Sequence, residues 1–215
     1  MLLAAYITTA FVVLAVGARY AFAGRHPDEA RIMVRGGLGL LLVLVPAQLL
    51  VGDQAGEKVR EYQPAKLAAI EAHWNSEESP VPFVLFAWPN EAEERNDFAI
   101  PIPYASSLVV TRSLDGKFTG LDAFAEEDRP PVPPVFFAFR VMVGIGLLML
   151  LTVTVGGLLW WRGRLMRSRL WLGLVRFAWP LGFVATLAGW YTTEIGRQPW
   201  VVTGVLRTED AVSPV

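Results

Sequence analysis

The sequence contains no cysteine and only two histidines in 215 residues. Without thiols it can form no disulfide, thiolate-bound zinc, iron–sulfur cluster or thioether-linked haem. Neither a Ser–His–Asp set nor a zinc signature is present, and Gly36, Gly37 and Gly39 lack the spacing of a dinucleotide or phosphate loop. Charge is also scarce. Charged residues make up 18% of the chain against 53% hydrophobic, and mean hydropathy is +0.41, which excludes an ordinary soluble domain. The net charge of −1 gives no reason to expect a nucleic-acid partner.

What the chain has instead is long apolar runs. Residues 1–23, 36–51, 135–161 and 170–193 each approach the roughly 20 residues needed to cross about 30 Å of hydrocarbon. The second reaches full length if Ile32, Met33 and Val34 are included and Arg35 snorkels. Ala21-Phe22-Ala23 resembles a signal-peptide cleavage site, but a basic stretch before the first run is missing, so the run reads as a mature span. Arg25, Arg31 and Arg35 follow the first run, and Arg162, Arg164, Arg167 and Arg169 follow the third, which places both connections in the cytoplasm. Residues 53–134 carry 15 Asp or Glu against 7 Lys or Arg and are expected outside.

The expected fold class is therefore an all-α integral membrane protein with four transmembrane helices. Residues 1–52 and 135–194 form two hairpins, 53–134 an outer loop and 195–215 an outer tail. The first hairpin turns through residues 24–33, around Pro27. The outer loop opens with a helix over 63–74, with Leu67, Ile70, Glu71 and Trp74 on one face. Its remainder alternates short apolar runs, 83–88 and 106–111, with turn and proline clusters, and reads as an irregular, partly mobile lid.

Three motifs carry candidate chemistry. The first is Gly189-Trp190-Tyr191-Thr192-Thr193-Glu194-Ile195-Gly196-Arg197-Gln198-Pro199-Trp200, in which helical spacing puts Trp190, Glu194 and Arg197 on one face. A carboxylate at a span end needs a pair, water or a metal, and a plain Glu194–Arg197 interfacial pair accounts for it equally well. The second is Phe139-Arg140-Val141-Met142-Val143-Gly144-Ile145-Gly146. Its thioether is a recognised haem ligand type, its glycines allow a flat group or a helix to approach, and Arg140 lies about 200° around the helix from Met142. Packing and snorkelling are the commoner roles of such residues. The third is Gly52-Asp53 followed by Gln63-Pro64-Ala65-Lys66-Leu67-Ala68-Ala69-Ile70-Glu71-Ala72-His73-Trp74. Here Lys66 and Glu71 can bind a quinol head group and accept its protons, or can be solvated charges on a surface helix. His26 and His73 are both expected to be solvated rather than to bind haem.

In this order, flanking a long outer loop, the three motifs resemble subunit I of cytochrome bd quinol oxidases. Ala4-Ala5-Tyr6-Ile7-Thr8-Thr9-Ala10-Phe11 resembles that family's fifth span, and Asp210-Ala211-Val212-Ser213-Pro214 the segment before its last. The resemblance implies that Met142 is an axial ligand of the low-spin b haem, with Arg140 beside it. It implies that Glu194 ligates the high-spin b haem, with Trp190 and Arg197 close to the haems. Lys66 and Glu71 would belong to the quinol-binding loop, with Asp53 as a neighbour. Electrons would run from quinol through the two b haems to haem d, or to a b haem in its place, where oxygen is reduced to water. The implied partners are quinol, oxygen, membrane lipid, subunit II and an N-terminal part of subunit I, and the implied location is the bacterial cytoplasmic (inner) membrane.

The resemblance has departures as well. In relatives a histidine completing the low-spin haem stands just before the position of Met1, and four further spans precede it. The chain is therefore expected to be a piece of a larger helical bundle, inactive by itself. A noncatalytic membrane interaction or assembly protein, or a small transporter, is the alternative.

Overall fold

Helix α1 spans Leu2–Ala23 and buries Ile7, Ala10, Phe11, Leu14, Ala15, Gly17 and Ala18, the stripe that a period near 3.6 produces. The computed structural model describes residues 2–211, so Met1 and the Val212-Ser213-Pro214 part of the tail resemblance lie outside the described residues. The chain divides into two compact units. One comprises the residues up to Gly52 with Met142–Leu187, the other Asp53–Val141 with the residues from Ala188 onward.

In the first unit, α1 packs on the first part of α2 (Pro27–Tyr62) through small residues. A side chain at Gly17 would meet Met33 Cβ at 2.7 Å, and one at Gly37 the Ala10 carbonyl at 3.2 Å, so the backbones approach closely. The connection is tighter than the expected 24–33 turn. Gly24 and His26 take positive φ, and α2 begins at Pro27, because proline at a first helical position gives up no needed N–H and Asp28 and Glu29 suit the helix start.

The same helix also runs eleven residues past the expected end at 51. The i,i+3 pairs Arg60–Glu57 and Lys58–Glu61, both 2.8 Å, support a polar continuation that hydropathy does not register. Helix α5 (Val132–Trp161) starts in the proline cluster and contributes Met149 and Val153 to this core.

The fourth expected span is not one helix. It divides into α6 (Arg169–Val175) and α7 (Leu181–Ile195), because Pro180 lacks an N–H and disfavours helical conformation in Trp179 before it. Arg176 fills the break, its guanidinium 4.2 Å from the Phe22 ring centroid. At about 1.5 Å per residue α7 alone is shorter than the hydrocarbon layer. Among the described residues three helices are long and apolar enough to cross a membrane: α1, α2 and the helical stretch Glu126–Trp161.

The second unit corrects both the irregular-loop reading and the all-α reading. After α3 (Pro64–Glu71), strands β1 (Phe83–Asn90) and β2 (Arg95–Ile102) form an antiparallel hairpin, followed by α4 (Ala105–Thr111). Strands β3 (Trp200–Val202) and β4 (Leu206–Arg207) form a second small ribbon. Two register shifts in β1 place Leu85 and Phe86 outward side by side, which breaks the alternation by which a strand is recognised. The turn after β1 also lacks glycine and uses Glu94 at φ 48°. Ala68, Ala69, Ile70, Val84, Leu121, Val135 and Phe136 form the core here.

Close packing in the first unit leads to a testable difference between two glycines. A side chain at Gly182 would lie 2.7 Å from the Thr8 Cα, whereas Gly36 faces open space. Gly182→Val is expected to destabilise by about 1–3 kcal/mol. Gly36→Ala should leave the melting temperature of the detergent-solubilised protein unchanged or slightly raised, as scanning fluorimetry would show.

Candidate functional site

Glu71 ends α3 with its side chain inside the second unit, and is 6% exposed. The helix stops because Ala72 takes a left-handed conformation, its N–H closing back on the Ala68 and Ala69 carbonyls. Asn96 from β2 donates to the Ala72 carbonyl at 2.8 Å, and Trp74 Nε1 donates to Asn96 Oδ1 at 3.0 Å, so the turn is held from both sides.

Glu71 Oε2 accepts from Ser106 Oγ at 2.8 Å and from Arg140 Nη2 at 3.3 Å. Arg140 is itself fully engaged. Its Nε donates to the Val84 carbonyl at 2.8 Å and its Nη1 to the Ile70 carbonyl at 3.2 Å, while the guanidinium lies over the rings of Phe83 and Phe136 at 4.2 and 4.5 Å. A buried charge pair persists only when hydrogen bonds offset its desolvation; here Arg140 donates from all three nitrogens and Glu71 accepts two bonds on Oε2. Two residues singled out in separate motifs thus meet, 69 positions apart in sequence. Arg140 points at Glu71, in keeping with its angular distance from Met142. Ser106 was missed because it opens a stretch that reads as a short apolar run.

Lys66 is buried too, at 7% exposure, so the picture of a surface helix with solvated charges does not hold for either residue. Five positions separate Lys66 from Glu71, which turns them to different sides of α3. Lys66 Nζ donates to the Thr193 carbonyl at 3.2 Å, near the end of α7. It lines a cavity of about 210 Å³ with Gln63, Pro64, Phe124, Arg197, Gln198 and Trp200 among others. Burial pushes the Lys66 ammonium below the usual lysine range, and nearby Arg197 adds to the shift while Glu194 opposes it.

Glu194 pairs with Arg197 one turn on, Oε2 to Nη2 at 2.6 Å, and both are partly exposed. Trp190 is exposed on the preceding turn. Among the described residues Arg197 Nε is buried without a partner. Met142 is half-buried, and side chains at Gly144 or Gly146 would meet no neighbour within 4 Å. Asp53 is exposed and bound to Arg112. Among the described residues no group of three or more His, Asp or Glu is arranged to hold a free metal ion.

His26 is exposed, as expected, but His73 is 3% exposed and corrects the expectation that it is solvated. The left-handed turn at Ala72 directs it inward, where its Nε2 donates to the Phe118 carbonyl at 3.2 Å and its ring packs on Phe118.

Fold and site together define a multi-pass membrane protein in which a buried acid at the end of α3 is paired with an arginine near the start of a long apolar helix. The chain belongs to the cytochrome bd terminal oxidase subunit I family, whose profile matches residues 1–215. It is 30% identical to the cytochrome bd-II ubiquinol oxidase subunit 1 of Escherichia coli (strain K12), over 98% of this chain and 54% of that protein. It is 35% identical to the cytochrome bd ubiquinol oxidase subunit 1 of Bacillus subtilis (strain 168), over 77% of this chain and 37% of that protein. The bd oxidase structure from Geobacillus thermodenitrificans matches with a TM-score of 0.85 at 30% identity, covering 100% of this chain and 49% of that one. The chain spans about half the length or less of these relatives. The E. coli match extends over 278 residues, so that relative carries insertions that this chain lacks.

The buried histidine predicts a pH dependence. Burial lowers the His73 pKa from 6.5, against the opposing effects of Glu78, the Phe118 carbonyl, Asp122 and Glu71. The folded state therefore binds the proton less readily than the unfolded state. The stability associated with neutral His73 is fully present above 6.5 and declines as pH falls below it. The melting temperature should drop on acidification from about pH 7 to about 5, and His73→Gln should reduce the size of that drop.

Proposed function

We propose that this chain forms the quinol-facing part of a respiratory terminal oxidase of the bacterial inner membrane. The proposed enzyme oxidises quinol and reduces oxygen to water, together with a second subunit and the remainder of subunit I. The observation that carries the reading is the buried Glu71–Arg140 pair, which fastens the outer segment to helix α5 two residues before Met142.

Quinol oxidation releases two protons and two electrons, so the protein needs a proton acceptor apart from the electron path. Glu71 is the acceptor in this reading: its carboxylate is oriented and withdrawn from bulk water, yet carries donors on one oxygen only in the hydrogen bonds described. Lys66, on a different side of α3 at the cavity wall, meets the quinol from that side in this reading. The segments 135–161 and 170–193 lie in the membrane in this reading, the fourth crossing as the broken pair α6 and α7, and 53–134 faces outward.

Haem, when bound, supplies the one-electron carriers and the centre at which oxygen is reduced. The residues present fit such groups. Met142 offers a half-buried thioether beside the open flank of Gly144 and Gly146, which suits a low-spin b haem. Glu194 offers a partly exposed carboxylate, flanked by exposed Trp190 and by Arg197 with its unpartnered Nε, which suits the high-spin b haem. Arg197 offsets the carboxylate's charge near the membrane. A third haem, d or b, completes the proposed set.

The test is the reduced-minus-oxidised absorbance spectrum of membranes containing the assembled oxidase. Met142→Leu should remove the low-spin b signal and Glu194→Ala the high-spin one. Glu71→Gln should keep both and lose quinol oxidation. Absence of any haem signal from the unsubstituted assembly would overturn the proposal.

A further inference from the structure

Ser106, which donates a hydrogen bond to Glu71, lies outside all three sequence motifs. Ser106 is 1% exposed and sits in the first turn of α4, a seven-residue helix with no capping side chain. Other contacts hold that helix in place. Ser107 N donates to the Val81 carbonyl at 3.1 Å, Val81 N donates to Ser107 Oγ at 2.8 Å, and Ser107 Oγ donates to the Gly116 carbonyl at 2.7 Å. Arg60 Nη1 donates to the Val110 carbonyl at 3.0 Å, and Arg112 pairs with Asp53. The Ser106 hydroxyl is thus delivered to Glu71 by a clamped helix.

Both donors, Ser106 Oγ and Arg140 Nη2, converge on the same carboxylate oxygen, Oε2. The Arg140 contact is the longer, 3.3 Å against 2.8 Å, and Arg140 is tied to two carbonyls that prevent it from following the carboxylate. Held by Arg140 alone, the carboxyl group can rotate about its last side-chain bond, a torsion with a broad minimum. A second donor on the same oxygen stops that rotation and leaves Oε1 with one orientation.

We propose that Ser106 is a positioning residue that fixes the Glu71 carboxylate so that Oε1 faces the quinol hydroxyl. This rests on the reading of Glu71 as the proton acceptor. A misplaced acceptor slows proton transfer more than it weakens binding of the ring, since only the transfer step needs the aligned oxygen.

The experiment is steady-state quinol oxidation by the assembled oxidase, in H₂O and in D₂O, with the haem spectrum as a check on assembly. Ser106→Ala should lower kcat roughly tenfold with KM within about twofold, and should raise the solvent isotope effect. Ser106→Thr, which keeps the hydroxyl, should restore kcat. Ser106→Cys, similar in size but a weak donor, should stay close to Ser106→Ala. Parental kcat and isotope effect in Ser106→Ala, or restoration by Ser106→Cys, would overturn the inference by showing that Ser106 is inert or merely fills space. If Ser106→Thr does not assemble, the comparison of Ala with Cys still decides. Glu71→Gln separates the two levels. Parental kcat there overturns the reading of Glu71 and this inference with it, whereas an inactive Glu71→Gln beside a parental Ser106→Ala overturns the inference alone.

Discussion

A guanidinium and a carboxylate held out of water together constrain the second unit. Transferring either charge alone from water costs several kcal/mol even after the protein relaxes. Arg140 and Glu71 can therefore stay buried only while every group around them is in place. Val84 and Ile70 supply carbonyls, Ser106 a hydroxyl, and Phe83 and Phe136 ring faces. These partners come from α3, β1, α4 and α5. One polar cluster thereby fixes the relative position of four elements that are far apart in sequence.

The same constraint accounts for the form of the segment between α2 and α5. Its apolar core is modest, built largely from alanine and valine with Ile70, Leu121 and Phe136, and small side chains contribute little stabilisation each. Directional bonds fill the gap. Asn96 holds the turn that ends α3, Ser107 holds α4, and Arg129 and Arg207 pair with Glu94 and Asp128. A segment held in this way keeps a defined geometry around a carboxylate while remaining almost free of long hydrophobic runs, and it therefore reads as irregular from hydropathy alone.

The sequence was most legible where one physical effect dominates. Apolar runs of span length are unmistakable, and α1, α2 and α5 lie where they were expected, apart from their ends. Those ends were misjudged because Pro27 starts a helix as readily as it breaks one, and because charge pairs at i,i+3 extend α2 beyond the apolar region. The fourth run was read as one helix for the opposite reason: its hydropathy is continuous across Pro180, while its backbone is not. The hairpin of β1 and β2 escaped notice because two bulges disturb its alternation and its turn contains no glycine. His73 escaped because nothing in its neighbours signals that Ala72 takes a left-handed conformation.

Composition and apolar runs were enough to mark a membrane protein, and the resemblance carried by three local motifs pointed to the cytochrome bd subunit I family and to the side chains that deserve scrutiny. Such features are local, so they survive in a one-dimensional reading. Tertiary structure alone decided that Glu71 faces Arg140 while Lys66 faces the end of α7, that His73 is buried, and that Ser106 reaches the acid. Each of these outcomes depends on the desolvation of groups brought together from distant positions, and the cost of removing a charge from water is set by the finished environment, not by the residues adjacent in the chain.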